Sequence, residues 1–484
     1  MKASAELTGI VWFRQDLRLA DNPALREACK ACSRVLCLFI DDPAEQTVSQ
    51  LGEASRVWLH HSLLALDASL QAKGNSLLLL KGDSLSLLRD TALQANASRI
   101  YWNRCYDPQT IARDKVIKAE LQELQPKTFN AILIFEPWQN LKGDDSPYRV
   151  YTPFWRAAAA KLESGETNFK PGASPRQIPG LAKSRAAKLS AGVALDELGL
   201  LPDRPWHQSM MQPWEAGEAA AMQRLKSFLK SPVNAYDSSR DLPATSGTSR
   251  LSPHLHFGEI SPRQILHQLL GKRTLEDLSD GELVFAKEIL WREFAYSLIF
   301  HFPHTVDEPL DERFRQFPWA EETAENLRAW QRGQTGVPIV DAGMRELYAT
   351  GWMHNRVRMI VSSYLIKNLL VPWQEGERWF RNTLVDADLA SNAMGWQWSA
   401  GSGADAAPFF RIFNPVLQGE KFDKQGEYVK QWVPELAEIP VKFVHKPWEL
   451  PESERLALDY PEPLVDLKAT RQRALDAFAK IKGT

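Results

Sequence analysis

Between Leu7 and Glu136, short apolar runs alternate with amphipathic ones. LTGIVWF (7–13), SRVLCLFID (33–41), NSLLLLKG (75–82), SRIYWNRC (98–105) and NAILIFE (130–136) are bounded by turn residues. Runs of this kind read as strands. The stretches ASRVWLHHSLLALDASLQAK (54–73) and DKVIKAELQEL (114–124) read as helices. Strands alternating with helices predict an α/β domain over residues 1–150, a doubly wound parallel sheet with helices on both faces. Neither GxGxxG nor GxxxxGK[ST] occurs in it. A binding crevice is therefore expected from topology alone, at the carboxyl ends of the strands.

Residues 151–214 are expected to connect two domains. ESGETNFKPGASPRQIPG (163–180) and LLPDRPWHQ (200–208) are polar and rich in Gly and Pro, as loops are. From 215 to 484 apolar residues recur at three and four, as in LVFAKEILWREFAYSLIF (283–300) and VRMIVSSYLIKNLL (357–370). An all-α domain follows from that period. The Pro-rich, charged stretch beginning at Lys446 is expected to be a surface tail.

Composition narrows the function. The formal net charge is −2, so a polyanion must be held by a local patch. No apolar run is long enough to span a membrane, and the first residues lack a secretory h-region; a cytoplasmic protein is expected. The four cysteines all lie in the first quarter, which argues against a disulfide framework. Cys29-x-x-Cys32 ends a helix with no second pair and no nearby His, so no metal site is expected. Twelve of the 17 tryptophans lie beyond residue 200. That bias fits a π-rich ligand or an aromatic-packed helical core.

Four constellations carry candidate chemistry. The first, TSGTSRLSPHLHFGEISPRQ (245–264), offers the hydroxyls of Thr248, Ser249 and Ser252 with Arg250 at a helix start, which suits a phosphate or a plain cap. In FAKEILWREF (285–294), Glu288, Trp291 and Arg292 share a helix face. In GWMHNRVRM (351–359), Asn355 and Met359 are i, i+4 with Arg358 beside them. The fourth, DADLASNAMGWQW (386–398), spaces Asp388, Asn392 and Trp396 by four. Asp386 and Asp388 precede this helix, where carboxylates cap the positive dipole end.

Taken together, these blocks resemble the DNA photolyase/cryptochrome family of light-dependent flavoproteins. The resemblance starts at VWFRQDLRLADNPAL (11–25) and continues through TGVPIVDAGMRELYATGWMHNRVRM to DADLASNAMGWQWSAGSGADAAPFFRIFNPV. It implies FAD in the helical domain. Tyr236 and the loop Thr248, Ser249, Arg250, Leu251 and Ser252 would hold its phosphate and adenosine side, with Phe285 and Arg292 nearby. Asp386 would pair with Arg358 beside the flavin ring, Ala387 and Asp388 would lie at its edge, and Asn392 would face N5. Asn at that position resembles repair enzymes more than plant or insect light sensors. Trp396, Trp373 and Trp319 look like the family's electron relay to the flavin.

The resemblance also implies the substrate, UV-damaged DNA. Glu288, Trp291, Asn355 and Met359 match the set that contacts a cyclobutane pyrimidine dimer, with Trp398 as a further aromatic wall. Arg240, Arg356 and Arg411 are candidates for flanking phosphates. Enzymes for (6-4) photoproducts place His at the positions of Asn355 and Met359. The expected activity is that of a deoxyribodipyrimidine photolyase, a monomer in which light-excited reduced FAD passes an electron to a flipped-out dimer. The rival is a cryptochrome-type photoreceptor without repair activity, disfavoured by Asn392, by the intact dimer set and by the absence of a long extension after the helical domain. Two departures from the family pattern are Phe285, where several relatives carry Trp, and Thr110, where some carry a carboxylate for a folate antenna. Whether an antenna chromophore is bound at all, and whether it is methenyltetrahydrofolate, a deazaflavin or a second flavin, is left open.

Overall fold

The computed structural model describes residues 7–482 except 43–50, 167–168, 182–188, 190–191 and 407–409. β1 (Thr8–Phe13), β2 (Arg34–Asp41), β3 (Leu77–Lys81), β4 (Arg99–Asn103) and β5 (Lys127–Phe129) form one parallel sheet. Its order is β3-β2-β1-β4-β5. Alternate residues of β1 feed separate cores: Val11 and Phe13 pack on one face, Ile10 and Trp12 on the other. That two-residue period puts helices on both sides of a strand buried throughout. The crossovers are α1 (Pro23–Ala31), α2 (Glu53–Gln71), α3 (Ser84–Ala95) and α4 (Pro108–Glu120).

The fifth strand is not where the apolar run predicts it. β5 ends at Phe129, and NAILIFE follows as irregular chain. Its backbone groups are met by the helical part instead. Ile134 and Phe135 N–H donate to Glu293, and Arg292 donates to the Ile132 carbonyl. Buried side chains pair at the carboxyl ends of β1 and β4. Arg14 Nη1 there donates to both carboxylate oxygens of Asp114 at 2.9 Å, and Asn103 donates to Asp16 at 2.6 Å. Arg18, with no exposure, donates to the carbonyls of Asp21 and Ala131 and, across the domain junction, Gly258. The RQDLR run thus joins the sheet to the helices.

The expected connector begins with a helix, α5 (Tyr151–Glu163), whose Phe154, Ala158 and Leu162 enter the same core as Leu225 and Phe294. Among the described residues all regular structure beyond Phe129 is helical. It includes α6 (Glu218–Lys230), α7 (Pro262–Leu270), α8 (Asp280–His301), α9 (Pro338–Thr350), α10 (Asn355–Ser363), α11 (Trp373–Thr383) and α12 (Leu389–Ala400). The expected surface tail is also corrected. It ends in α13 (Leu467–Lys482), which buries Ala474, Ala477 and Ile481 against Phe314, Phe317 and Leu370. Tyr460 ahead of it donates to buried Asp341 at 2.6 Å. No described helix is long and apolar enough to cross a membrane.

Glu293 sits at the domain junction with one oxygen on two backbone N–H groups and the other without a partner. Burial pushes its pKa up to about 7 against the charge of Arg292. A raised carboxyl pKa means that the folded chain holds the proton more tightly than the unfolded one. Stability is then lost as pH rises from about 4.5 through about 7, by up to about 3 kcal/mol. Glu293→Gln should flatten that slope, seen as a smaller fall in Tm between pH 5 and pH 8 than in the wild type.

Candidate active site

The helical part encloses a cavity of about 530 Å³, a size that suits a ligand site. Three helices wall it. α8 starts at a capping box, Ser279 with Glu282, and presents Glu288 and Trp291 one turn apart. α10 starts at His354, whose ring nitrogen accepts from the Arg356 N–H, and presents Asn355, Arg358 and Met359. α12 starts at Asp388, which accepts from the Ser391 N–H at 2.8 Å, and presents Asn392, Trp396 and Trp398. Asp386 and Ala387 lie at its foot, and Arg240, Asp405 and Arg411 also line the cavity.

Half of the expected residues are therefore brought together. Asp386 pairs with Arg358 at 2.9 Å, as the sequence predicts. Glu288 is paired with Arg240, and burial pushes its pKa up while Arg240 opposes the shift. Asn392 donates to the Glu377 carboxylate at 2.9 Å and to its carbonyl at 3.3 Å. Its amide nitrogen is thus engaged on Glu377, where the resemblance implies that Asn392 faces the flavin N5.

Several expected residues lie elsewhere. Arg292 reaches over Tyr296 to the Ile132 carbonyl, outside the cavity lining. Asp388 turns away as well, accepting from the Tyr296 hydroxyl at 2.5 Å. Burial pushes its pKa up, but His256, Arg292 and Tyr296 outweigh that and hold it well below the usual carboxylate range. Phe285 is buried against Phe228 and Tyr236, behind the lining. Tyr236 is buried with it, under the guanidinium of Arg240. Arg356 is tied to Asp241 at 2.7 Å and lies over Phe422.

The hydroxyl loop adjoins the cavity without lining it. Thr248 and Ser249 are half-buried, Leu251 is buried, and exposed Ser252 starts a five-residue helix. Arg250 holds a left-handed conformation (φ 50) and lies over Trp352 at 4.6 Å. Arg250, Arg356 and Arg358 all oppose a charge on His354, adding to burial, which is the larger cause of its pKa falling to about 4. Arg356 and Arg358 are held by Asp241 and Asp386, and Arg250 is the guanidinium that suits an anion such as a pyrophosphate. The indole N–H of Trp396 and Nε2 of His354 are buried without partners. A cationic end, an Arg–Asp pair and an aromatic wall fit a flavin dinucleotide.

Trp396 is buried with ring neighbours Phe380 at 4.9 Å and Trp330 at 6.2 Å. A Cβ at Gly376 would overlap its ring, so that glycine lets α11 approach. Trp373 shares the same core, and half-buried Trp319 packs at its edge. Trp330, Glu377 and Tyr296 also stand at the site without being marked in the sequence. Trp330 and Glu377 sit on helices of ordinary amphipathic pattern and Tyr296 on one with no dominant apolar side, so no local signal sets any of them apart from core or surface.

A parallel sheet joined to a helical part with a tryptophan-walled, arginine-edged cavity has the form of a nucleotide-cofactor-binding protein. Residues 9–175 match the family model described as DNA photolyase, and residues 285–480 that of the FAD binding domain of DNA photolyase. The chain is 45% identical over 485 residues to the deoxyribodipyrimidine photo-lyase of Agrobacterium fabrum, covering 98% of each. A crystal structure of a class III photolyase from Agrobacterium tumefaciens aligns with TM-score 0.92 at 44% identity over 100% of both chains. Cryptochrome-1 of Arabidopsis thaliana is 38% identical over 98% of this chain and 70% of its own length. The chain belongs to the DNA photolyase family.

Proposed function

We propose that this chain repairs cyclobutane pyrimidine dimers in DNA, using light and bound FAD. The observation that carries the reading is the placing of Glu288 and Trp291 in one cavity with Asn355 and Met359. No histidine occurs among the described residues lining it. The nearest, His354, is buried and holds no proton at neutral pH, since burial lowers its pKa to about 4. Such a site has no imidazolium to offer a (6-4) photoproduct.

Photolyases extrude the target nucleotides from the duplex. In this reading Trp291 stacks on the extruded dimer and Glu288 accepts from a pyrimidine N–H. Asn355 meets the base edge with a donor and an acceptor, and Met359 gives a soft apolar contact. Arg411 in the cavity lining reaches a flanking phosphate, as does Arg240 once Glu288 turns to the base, which is how a chain of charge −2 binds a polyanion. FAD, when bound and reduced, supplies on absorbing light the electron that opens the cyclobutane ring. Arg358 and Asp386, paired in the cavity lining, would hold it there. The likeness to Cryptochrome-1 supports a photoreceptor as the second reading. Illumination of the reduced holoenzyme with an oligonucleotide carrying one cyclobutane thymine dimer should restore two thymines, with none restored in the dark. FAD bound and reduced with no repair would favour the photoreceptor.

A further inference from the structure

Trp291 has two faces, and one is already taken. The ring of Tyr151 lies flat against it, with centroids 3.6 Å apart and planes 11° from parallel. Aromatic pairs left to themselves prefer an offset stack or an edge contact. At 3.6 Å the two rings overlap almost fully, so other contacts must set their position. The Tyr151 hydroxyl donates to the Lys287 carbonyl at 2.5 Å, one turn before Trp291 on the same helix. Phe294 abuts both rings edge-on, and Phe154 backs Phe294 at 5.2 Å. The same stretch of chain reaches a further part of the cavity lining. Asp405 donates its N–H to the Arg149 carbonyl at 3.2 Å and accepts from the Tyr151 N–H at 3.4 Å.

We propose that Tyr151, at the start of the segment that reads as a linker, is a positioning residue that clamps the back face of Trp291 and leaves the indole one fixed face for the lesion. The inference rests on the reading of Trp291 as a lesion contact. A ring fixed before binding loses little freedom when the dimer stacks on it. Tyr151 touches neither reacting atoms nor phosphates, so its effect is confined to damaged DNA.

The test measures Kd of the holoenzyme variants for an oligonucleotide with one cyclobutane thymine dimer and for the same strand undamaged, at fixed salt. Tyr151→Leu should weaken dimer binding roughly three- to tenfold, the cost of freeing one such side chain, and leave undamaged DNA unchanged. Tyr151→Phe keeps the stack and loses only the anchor to Lys287; it should lose roughly twofold, on the same principle, with full FAD content. In a Trp291→Leu background, Tyr151→Leu should cost nothing further, because contacts acting through one ring are not additive. Equal losses on both DNAs, a full loss on top of Trp291→Leu, or unchanged dimer binding in both Tyr151 variants would overturn the proposal. Dimer affinity unchanged in Trp291→Leu alone would instead overturn the lesion reading of Trp291, and the clamp with it.

Discussion

In a Trp396→Phe variant, light-driven reduction of the bound flavin should fall below detection on the timescale that fully reduces the wild type. Repair by chemically pre-reduced enzyme should be nearly unchanged. Trp396 is the only tryptophan of the proposed relay that lines the cavity, and a phenyl ring is far harder to oxidise than an indole. Phe also keeps most of the buried volume, so the seat formed by Gly376 and Phe380 stays filled. Transient absorption after a flash reads the first electron step. Companion variants Trp373→Phe and Trp330→Phe locate the next one, since Trp330 stands edge-on to Trp396. Unchanged photoreduction in Trp396→Phe would remove it from the relay.

Glu288→Ala should weaken binding to dimer-containing DNA by about 1–3 kcal/mol, the worth of a charge-assisted hydrogen bond to a buried base edge. The loss should not extend to undamaged DNA. Glu288 holds Arg240 in an ion pair, and truncation frees that guanidinium for phosphate, so undamaged DNA should bind as well as before or somewhat better. A titration at fixed salt separates the two effects, because phosphate contacts alone carry the salt dependence. Equal losses on both DNAs would place Glu288 outside the lesion pocket.

The sheet was legible because β1 to β4 are apolar runs flanked by turn residues, and because one strand period feeds two cores. NAILIFE misleads for a physical reason. Periodicity reports that a run is buried and not what satisfies its backbone, and here Arg292 and Glu293 of a distant helix do so. α13 escaped because its apolar side is mostly alanine among charged residues, and its partners Phe314 and Leu370 are far off in sequence. At the site, spacing placed Asn355 with Met359 and Asn392 with Trp396 correctly, since i, i+4 fixes which side a Cβ faces. It placed Arg292 and Asp388 less well. A shared face does not say where a long guanidinium ends, and Asp388 serves as an N-cap and a partner for Tyr296. Tyr151 could not be read at all, because its meaning depends on a ring 140 positions away in the chain.

The choice of lesion tests the account most directly. Two oligonucleotides of identical sequence, one carrying a cyclobutane thymine dimer and the other a (6-4) photoproduct, are each illuminated with fully reduced holoenzyme beside a dark control. The products are separated and identified by mass. The side chains Glu288, Trp291, Asn355 and Met359, with no protonated histidine among them, predict that the cyclobutane dimer is converted to two thymines in light only and the (6-4) product is untouched. Conversion of the (6-4) substrate, or failure on the cyclobutane dimer with FAD bound and reduced, would contradict it.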